Sequence, residues 1–408
     1  MAGALKELQK AVEKQEKRLE QQQWEKYHKL IDIAVGVLKH ENVLLYGGAA
    51  INSLMPPEYK FYSKTELMDI DVYFTSKTDL FRKLINAYKK EGFSLVNIYD
   101  SIHTGTYKVQ VEGVNVLDLH LLSQSFYRYL KIDSRIGDLG IRCASITYLR
   151  STFYKQLAEP LSARRWAKVF ERLILFNRVF PIGKTECELS LKKREIPHAY
   201  EEATKKLYDY IKTTPYMVLS ADVYLLASNM QSINTYPMSI LVQGKMEDIV
   251  DEFMKVFSDI KLTPSCAIYK DAPDGDIPVC TLSFGKIPFL KLYFITNYCL
   301  SYITYRGVRM ASIPTTIRYY SYIQFIHYRE RDSDLKGIEC IMNLLFALHI
   351  KSLRSKSLKT RTLFKQFTTD CYGEEAGLIT RKKERLVGRL KEKYGEDYLN
   401  QMKPVMIK

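Results

Sequence analysis

The stretch from Val43 to Asp71, VLLYGGAAINSLMPPEYKFYSKTELMDID, decides how the rest of the chain is read. It begins with an apolar run, Val43-Leu44-Leu45-Tyr46, which predicts a buried strand. Gly47 and Gly48 follow, and then a short helical run from Ala49 to Leu54. A second strand is expected from Met68 to Phe74, carrying Asp69 and Asp71. Successive strand residues point to opposite faces. The two carboxylates therefore share one face, while Ile70, Val72 and Phe74 line an apolar one. Carboxylates on one face repel each other unless a cation sits between them, and hard oxygen ligands suit magnesium or manganese. The paired glycines fit the same chemistry, because bare backbone N–H groups at the positive end of a helix cradle phosphate.

A third carboxylate stands at Asp118, inside the apolar run VNVLDLHLL from Val114 to Leu122. A lone acid in such a run is costly to bury unless it is paired or bound to metal. Before it lies another strand candidate, Tyr107 to Val111, and Glu112-Gly113 between the two predicts a tight hairpin turn. That hairpin puts Asp118 on a strand able to lie beside the Asp69/Asp71 strand. His120 shares the face of Asp118 and reads as a polar neighbour. Three carboxylates, two metal ions and a nucleoside triphosphate make a phosphoryl-transfer site. There is neither a dinucleotide-type GxGxxG nor a Walker GxxxxGK[ST] to argue for another nucleotide fold.

A GG helix start, then DxD on a strand, then a lone Asp on a later strand resembles the polymerase-β-like nucleotidyltransferases. Within them the chain is similar to the catalytic subunits of poly(A) polymerases of large DNA viruses, of the poxvirus, asfarvirus and giant-virus kind. The matching segments are LLYGGAAIN (Leu44 to Asn52), MDIDVYF (Met68 to Phe74), EGF (Glu91 to Phe93), IHTGT (Ile102 to Thr106), NVLDLH (Asn115 to His120) and the helix ARRWAKVFERLILFN (Ala163 to Asn177). The resemblance implies template-independent transfer of AMP from ATP to an RNA 3′ end, as in viral mRNA polyadenylation. Asp69, Asp71 and Asp118 would be the catalytic residues and would hold two Mg2+ or Mn2+ ions. Gly47 and Gly48 would approach the triphosphate. Many members of the superfamily carry Ser after the glycines; here it is Ala49, which leaves phosphate contact to the backbone. Two other functions stay open. One is an RNA terminal nucleotidyltransferase using UTP or CTP. The other is a catalytically dead RNA-binding or processivity scaffold, against which the presence of all three carboxylates counts. The resemblance implies as partner either a second copy of the chain or a processivity subunit. It implies the host cytoplasm, in a viral factory, or the virion as the place of action.

Composition agrees with a polyanionic partner. The 408 residues carry a net charge of +15 and include thirty tyrosines. Cationic side chains release counter-ions when they meet phosphates, and tyrosine rings stack on unpaired bases. A hydrophobic share of 46% suffices for real cores. No apolar run approaches the roughly 18 residues of a membrane helix, and the charged N-terminus shows no secretion signal. The seven cysteines are scattered without any CxxC, which predicts free thiols and neither a disulfide framework nor a zinc site.

The expected fold class is α+β, a nucleotidyltransferase mixed sheet with flanking helices, present twice. The expected organisation is an N-terminal helical segment (1–40), a catalytic domain with a helical extension (41–185), a second non-catalytic copy (186–350) and a basic tail (351–408). Residues 4 to 40 read as one long helix that packs across the catalytic domain or else binds a partner, Lys77 to Glu91 as another helix ended by Gly92, and residues 123 to 185 as helical. Met238 to Phe257 repeats the strand-then-helix pattern of Ile70 to Tyr88. Pro278 to Tyr298 repeats the hairpin, with Gly285-Lys286 at its turn, and ASI recurs at Ala144 and Ala311. Laid together, the copies set Lys291 against Asp118, and Pro237 and Ser239 near Asp69 and Asp71. RNA contacts are expected at Arg164 and Arg165, and at Arg306, Arg309 and Arg318 in a stretch where Arg and Tyr interleave. Ordinary packing is the alternative for each.

Overall fold

The computed structural model describes residues 25–62, 68–101, 103, 105–182, 198–219, 221, 224, 237–270, 276–294, 299–330, 335–355, 357, 362–364, 367–373, 388 and 391. The chain divides into two compact units, Met1–Leu149 with Ile379–Lys408, and Arg150–Leu378.

In the first unit, residues 25–38 form helix α1; residues 4–24 of the expected helix lie outside the described residues. Leu30, Ala34 and Leu38 recur at helical spacing and are fully buried. The helix is tied down by polar bonds too: the Tyr88 hydroxyl donates to the Leu30 carbonyl at 3.0 Å, and Tyr27 donates to the Met68 carbonyl at 2.9 Å. Strand β1 (Leu44–Tyr46) runs directly into helix α2 (Gly47–Leu54), which starts at the glycines themselves. Strand β2 (Ile70–Phe74) leads to helix α3 (Lys77–Lys90), then β3 (Val96–Asp100), β4 (Thr106–Val111) and β5 (Val114–Leu121). Glu112 and Gly113 both have positive φ, +48° and +83°, the left-handed pair that a two-residue hairpin needs to match strand twist.

Helix α4 (Gln124–Lys131) follows, its first turn capped by the Ser123 hydroxyl. The helical expectation for residues 123 to 185 holds only in part; residues 183–185 lie outside the described residues. Two short strands, β6 (Arg135–Ile136) and β7 (Arg142–Cys143), interrupt it before helix α5 (Ile146–Leu157). Asp133 at φ +53° turns the chain out of α4, and Leu45 of β1 pairs in parallel with Cys143. The seven strands form one mixed sheet ordered β3-β4-β5-β2-β1-β7-β6.

The second unit contains a 3₁₀ turn (Pro160–Arg165), α6 (Trp166–Val179), α7 (His198–Ile211), β8 (Met217–Val218), β9 (Met238–Val242) and α8 (Met246–Val256). It continues with β10 (Thr263–Tyr269), β11 (Ile277–Phe284), β12 (Ile287–Phe294), β13 (Leu300–Tyr305), β14 (Val308–Ala311), α9 (Ile313–Glu330), α10 (Leu335–Arg354) and β15 (Cys371–Tyr372). Its sheet order is β10-β11-β12-β9-β8-β14-β13-β15. Apart from the added β15, this repeats the first sheet strand for strand. The senses repeat as well: β1·β2 and β8·β9 are antiparallel, while β2·β5 and β9·β12 are parallel.

The registers make the duplication exact in residue terms. Leu45 pairs with Val72 and Val72 with Leu119; in the second sheet Val218 pairs with Ile240 and Ile240 with Leu292. Even an irregularity is repeated. The β4·β5 ladder slips by one residue between Val109 and Gln110, and the β11·β12 ladder slips between Leu282 and Ser283. By this correspondence Asp71 maps to Ser239 and Asp118 to Lys291, so the second copy lacks the carboxylates.

The cysteines depart from expectation. Cys266 and Cys280 are disulfide-bonded, as are Cys299 and Cys371. The cause lies in tertiary register: Cys266 and Cys280 are direct cross-strand partners with Cα atoms 4.0 Å apart, a proximity that a separation of 14 residues does not disclose. Among the described residues Cys143 is a free thiol, and burial pushes its pKa up to about 12. No described helix is long and apolar enough to cross a membrane.

Candidate active site

Asp71 on β2 and Asp118 on β5 are direct partners in the parallel β2·β5 pair, so both side chains stand on one face of the first sheet. Asp69 lies two residues before Asp71, just ahead of the strand, and is exposed. Among the described residues no three Asp, Glu, His or Cys side chains already converge as a metal cage. The donor set nonetheless fits a divalent ion in kind: hard oxygens, two of them on adjacent strands in register.

Gly47 borders Asp71. It has φ +67°, and a Cβ placed there would lie 2.3 Å from Oδ2 of Asp71. The glycine thus does more than open a helix start; it leaves the room that Asp71 occupies. Helix α2 has no side-chain cap at Tyr46, so the N–H groups of its first turn face outward without a local acceptor from that residue. Ala49 and Ala50 are fully buried, which explains why small apolar residues follow the glycines.

Beside the carboxylates, on the same face of the sheet, lies an aromatic cluster. Tyr46 and Tyr73 stack with ring centroids 3.8 Å apart, and the Tyr73 hydroxyl is 2.7 Å from that of Tyr148. His120 meets the edge of Tyr73 and pairs through Nδ1 with the Thr106 hydroxyl at 2.7 Å, the polar-neighbour role expected of it. Burial first, and for Tyr46 the Asp71 carboxylate next, hold the Tyr46 and Tyr73 phenols well above their usual pKa. They are neutral groups there and are no bases at neutral pH.

Lys108 was not foreseen. It pairs across β4·β5 with Asp118, and Nζ contacts both carboxylate oxygens, at 2.8 and 2.9 Å. A two-residue turn read alone sets Lys108 opposite Leu117. The slipped register moves it opposite Asp118. The signal was present in the apolar pattern, because Tyr107 and Val109 share the core face with Leu117 and Leu119 only if one residue bulges out.

The arginines expected at RNA separate into two groups. Arg164 and Arg165 are exposed on the 3₁₀ turn before α6. Arg306 is exposed at the β13–β14 turn, with its guanidinium 5.3 Å from the centre of the Tyr305 ring. Arg309 lies over Tyr302 and donates to the Pro215 carbonyl at 2.9 Å. Arg318 does not belong with them. Its side chain is only 4% exposed, and it donates to Glu159 at 2.7 Å and to the Tyr322 hydroxyl at 3.2 Å. It faces inward on α9 and is corrected to a packing role. Arg318→Met strands the Glu159 carboxylate and should cost about 2–4 kcal/mol. That lowers Tm by roughly 5–10 °C in calorimetry. Arg306→Ala should leave Tm nearly unchanged, and equal Tm values for the two variants would overturn the distinction.

A strand–diglycine–helix start beside two aspartates in register across parallel strands, on a mixed sheet repeated in a second copy without the acids, defines a nucleotidyltransferase. Residues 33–163, the segment that holds the three aspartates, match the family model described as "Poly(A) polymerase catalytic subunit". The chain is accordingly an enzyme of the polynucleotide adenylyltransferase class. The crystal structure of the Megavirus polyadenylate synthase is similar in fold, with a TM-score of 0.76 over 97% of this chain and 84% of that one, at 17% sequence identity. No curated protein sequence matches the chain.

Proposed function

We propose that the protein extends RNA 3′ ends with AMP from ATP, without a template, by two-metal phosphoryl transfer, and that its substrates are viral mRNAs. The observation that carries this reading is the register of Asp71 against Asp118. Asp69 and Asp71 would hold both ions, and Asp118 the one nearest the attacking hydroxyl. When bound, magnesium or manganese supplies a lowered pKa for that hydroxyl and neutralises charge on the triphosphate. The chain's own groups supply position. Asp71 is seated by Gly47, and the uncapped N–H groups at Gly47 and Gly48 meet triphosphate oxygens. The Tyr46–Tyr73–Tyr148 cluster beside the carboxylates keeps the face rigid without competing for protons.

In this reading the catalytic domain spans residues 41–185 and the second copy spans 186–350. Lys291 and Ser239 in place of Asp118 and Asp71 suit a copy that binds and does not catalyse. Arg164, Arg165, Arg306 and Arg309 would contact RNA, as the net charge of +15 favours. The partner would be a second copy or a processivity subunit, and the setting a viral factory or the virion, as the likeness to viral enzymes suggests.

The test is primer extension. Purified protein, a short RNA with a 3′ hydroxyl, and Mg2+ or Mn2+ are mixed with each nucleotide separately. A long ladder with ATP alone is expected. A ladder with UTP or CTP would replace the adenylate reading with another terminal transfer. Tight, salt-sensitive RNA binding with no product from any nucleotide would leave only a scaffold.

A further inference from the structure

We propose that Lys108 is a resident counter-ion of the catalytic carboxylates, and that a divalent cation gains Asp118 by displacing its ammonium group. The inference rests on the reading of Asp118 as a metal ligand. Lys108 Nζ spans both oxygens of Asp118, at 2.8 and 2.9 Å, so a cation approaching either oxygen meets a positive charge already hydrogen-bonded there. The backbone enforces this contact. The slip between Val109 and Gln110 sets Lys108 directly opposite Asp118 and on its face. Across the row β4-β5-β2 the chain therefore places Lys108, Asp118 and Asp71 side by side, so the single ammonium offsets one of two neighbouring acids.

The second copy provides a control within the same chain. There the position of Asp118 is Lys291 and the position of Lys108 is Thr281, and the same slip holds them opposite each other. Where the acids are absent, the lysine on the neighbouring strand is absent as well. A lysine retained only for packing or solubility would have no reason to vary with the acids. Both members of the Lys108–Asp118 pair are about one-third exposed, at 31% and 33%, so the ammonium can leave into solvent without unfolding the sheet.

The test titrates Mn2+ into the full-length protein without nucleotide and follows free Mn2+ by electron paramagnetic resonance. Lys108→Met removes the competing charge and should tighten the first Mn2+ site by about two- to fivefold, the range for a partly exposed pair. Lys108→Arg keeps the charge and should bind nearly as the natural protein does. Lys108→Gln serves as a second neutral variant should the methionine perturb folding, judged by circular dichroism. Equal or weaker Mn2+ binding by the neutral variants, with Asp118→Ala abolishing the site, would overturn the counter-ion role alone. Undiminished binding by Asp118→Ala would overturn the metal-ligand reading beneath it.

Discussion

Asp71→Asn should reduce nucleotide addition by at least about 10³-fold while the folded protein is kept or even stabilised. The rate effect follows from losing a ligand charge that serves the transition state, where about 4 kcal/mol corresponds to that factor. The stability effect has the opposite sign. Asp71 and Asp118 are register partners on adjacent parallel strands, roughly 4.8 Å apart by strand spacing. In the metal-free protein Lys108 offsets only one of the two charges, so the pair keeps an uncompensated negative charge. Asparagine has nearly the same shape and removes one of the two charges, so Tm measured in chelator should equal or exceed that of the natural protein. Single-turnover extension and calorimetry on the same preparation separate the two effects. Activity within tenfold of the natural protein would sink the assignment of Asp71, and a large fall in Tm would mean the carboxylate serves the fold.

Gly47→Ala should be nearly as damaging by a different route. The residue has φ +67°, where a Cβ costs about 1–2 kcal/mol. That methyl group would also sit 2.3 Å from Asp71 Oδ2, so either the carboxylate or the start of α2 must move. A displacement near 1 Å at a catalytic group costs about 10²-fold in rate. The expected result is therefore a loss of about 10²-fold in kcat together with a fall in Tm of a few degrees. Gly113→Ala is the control, since it too has positive φ but nothing lies within 4 Å of its Cβ position. It should lose stability and keep activity. If both variants keep full activity, Gly47 is only a turn residue and Asp71 is not positioned by it.

Both variants probe contacts between elements distant in sequence, and that is where sequence reading and tertiary structure part. Local chemistry made much of the site legible. Alternation along β2 set Asp71 on the face opposite Ile70 and Val72, Glu112-Gly113 predicted a tight hairpin turn, and the recurrent ASI and hairpin patterns disclosed a duplicated fold down to Lys291 and Ser239 at the positions of Asp118 and Asp71. These features depend on dihedral preferences and on periodicity within a few residues, which side-chain identity sets directly. The extent of helix after residue 123 was misread, because β6 and β7 are too short to carry a period and exist only through the pairing of β7 with β1 and of β6 with β7. Arg318 looked like its neighbours until α9 turned it toward Glu159. The cysteines looked isolated until a cross-strand register joined Cys266 to Cys280. Sequence alone determined which residues could bear the chemistry and on which face each strand would show them. Tertiary structure decided that Asp71 meets Asp118, that Gly47 makes room for it and that a one-residue slip brings Lys108 onto Asp118. Those contacts are fixed by how strands pair and slip, and that is settled by the packing of the whole sheet.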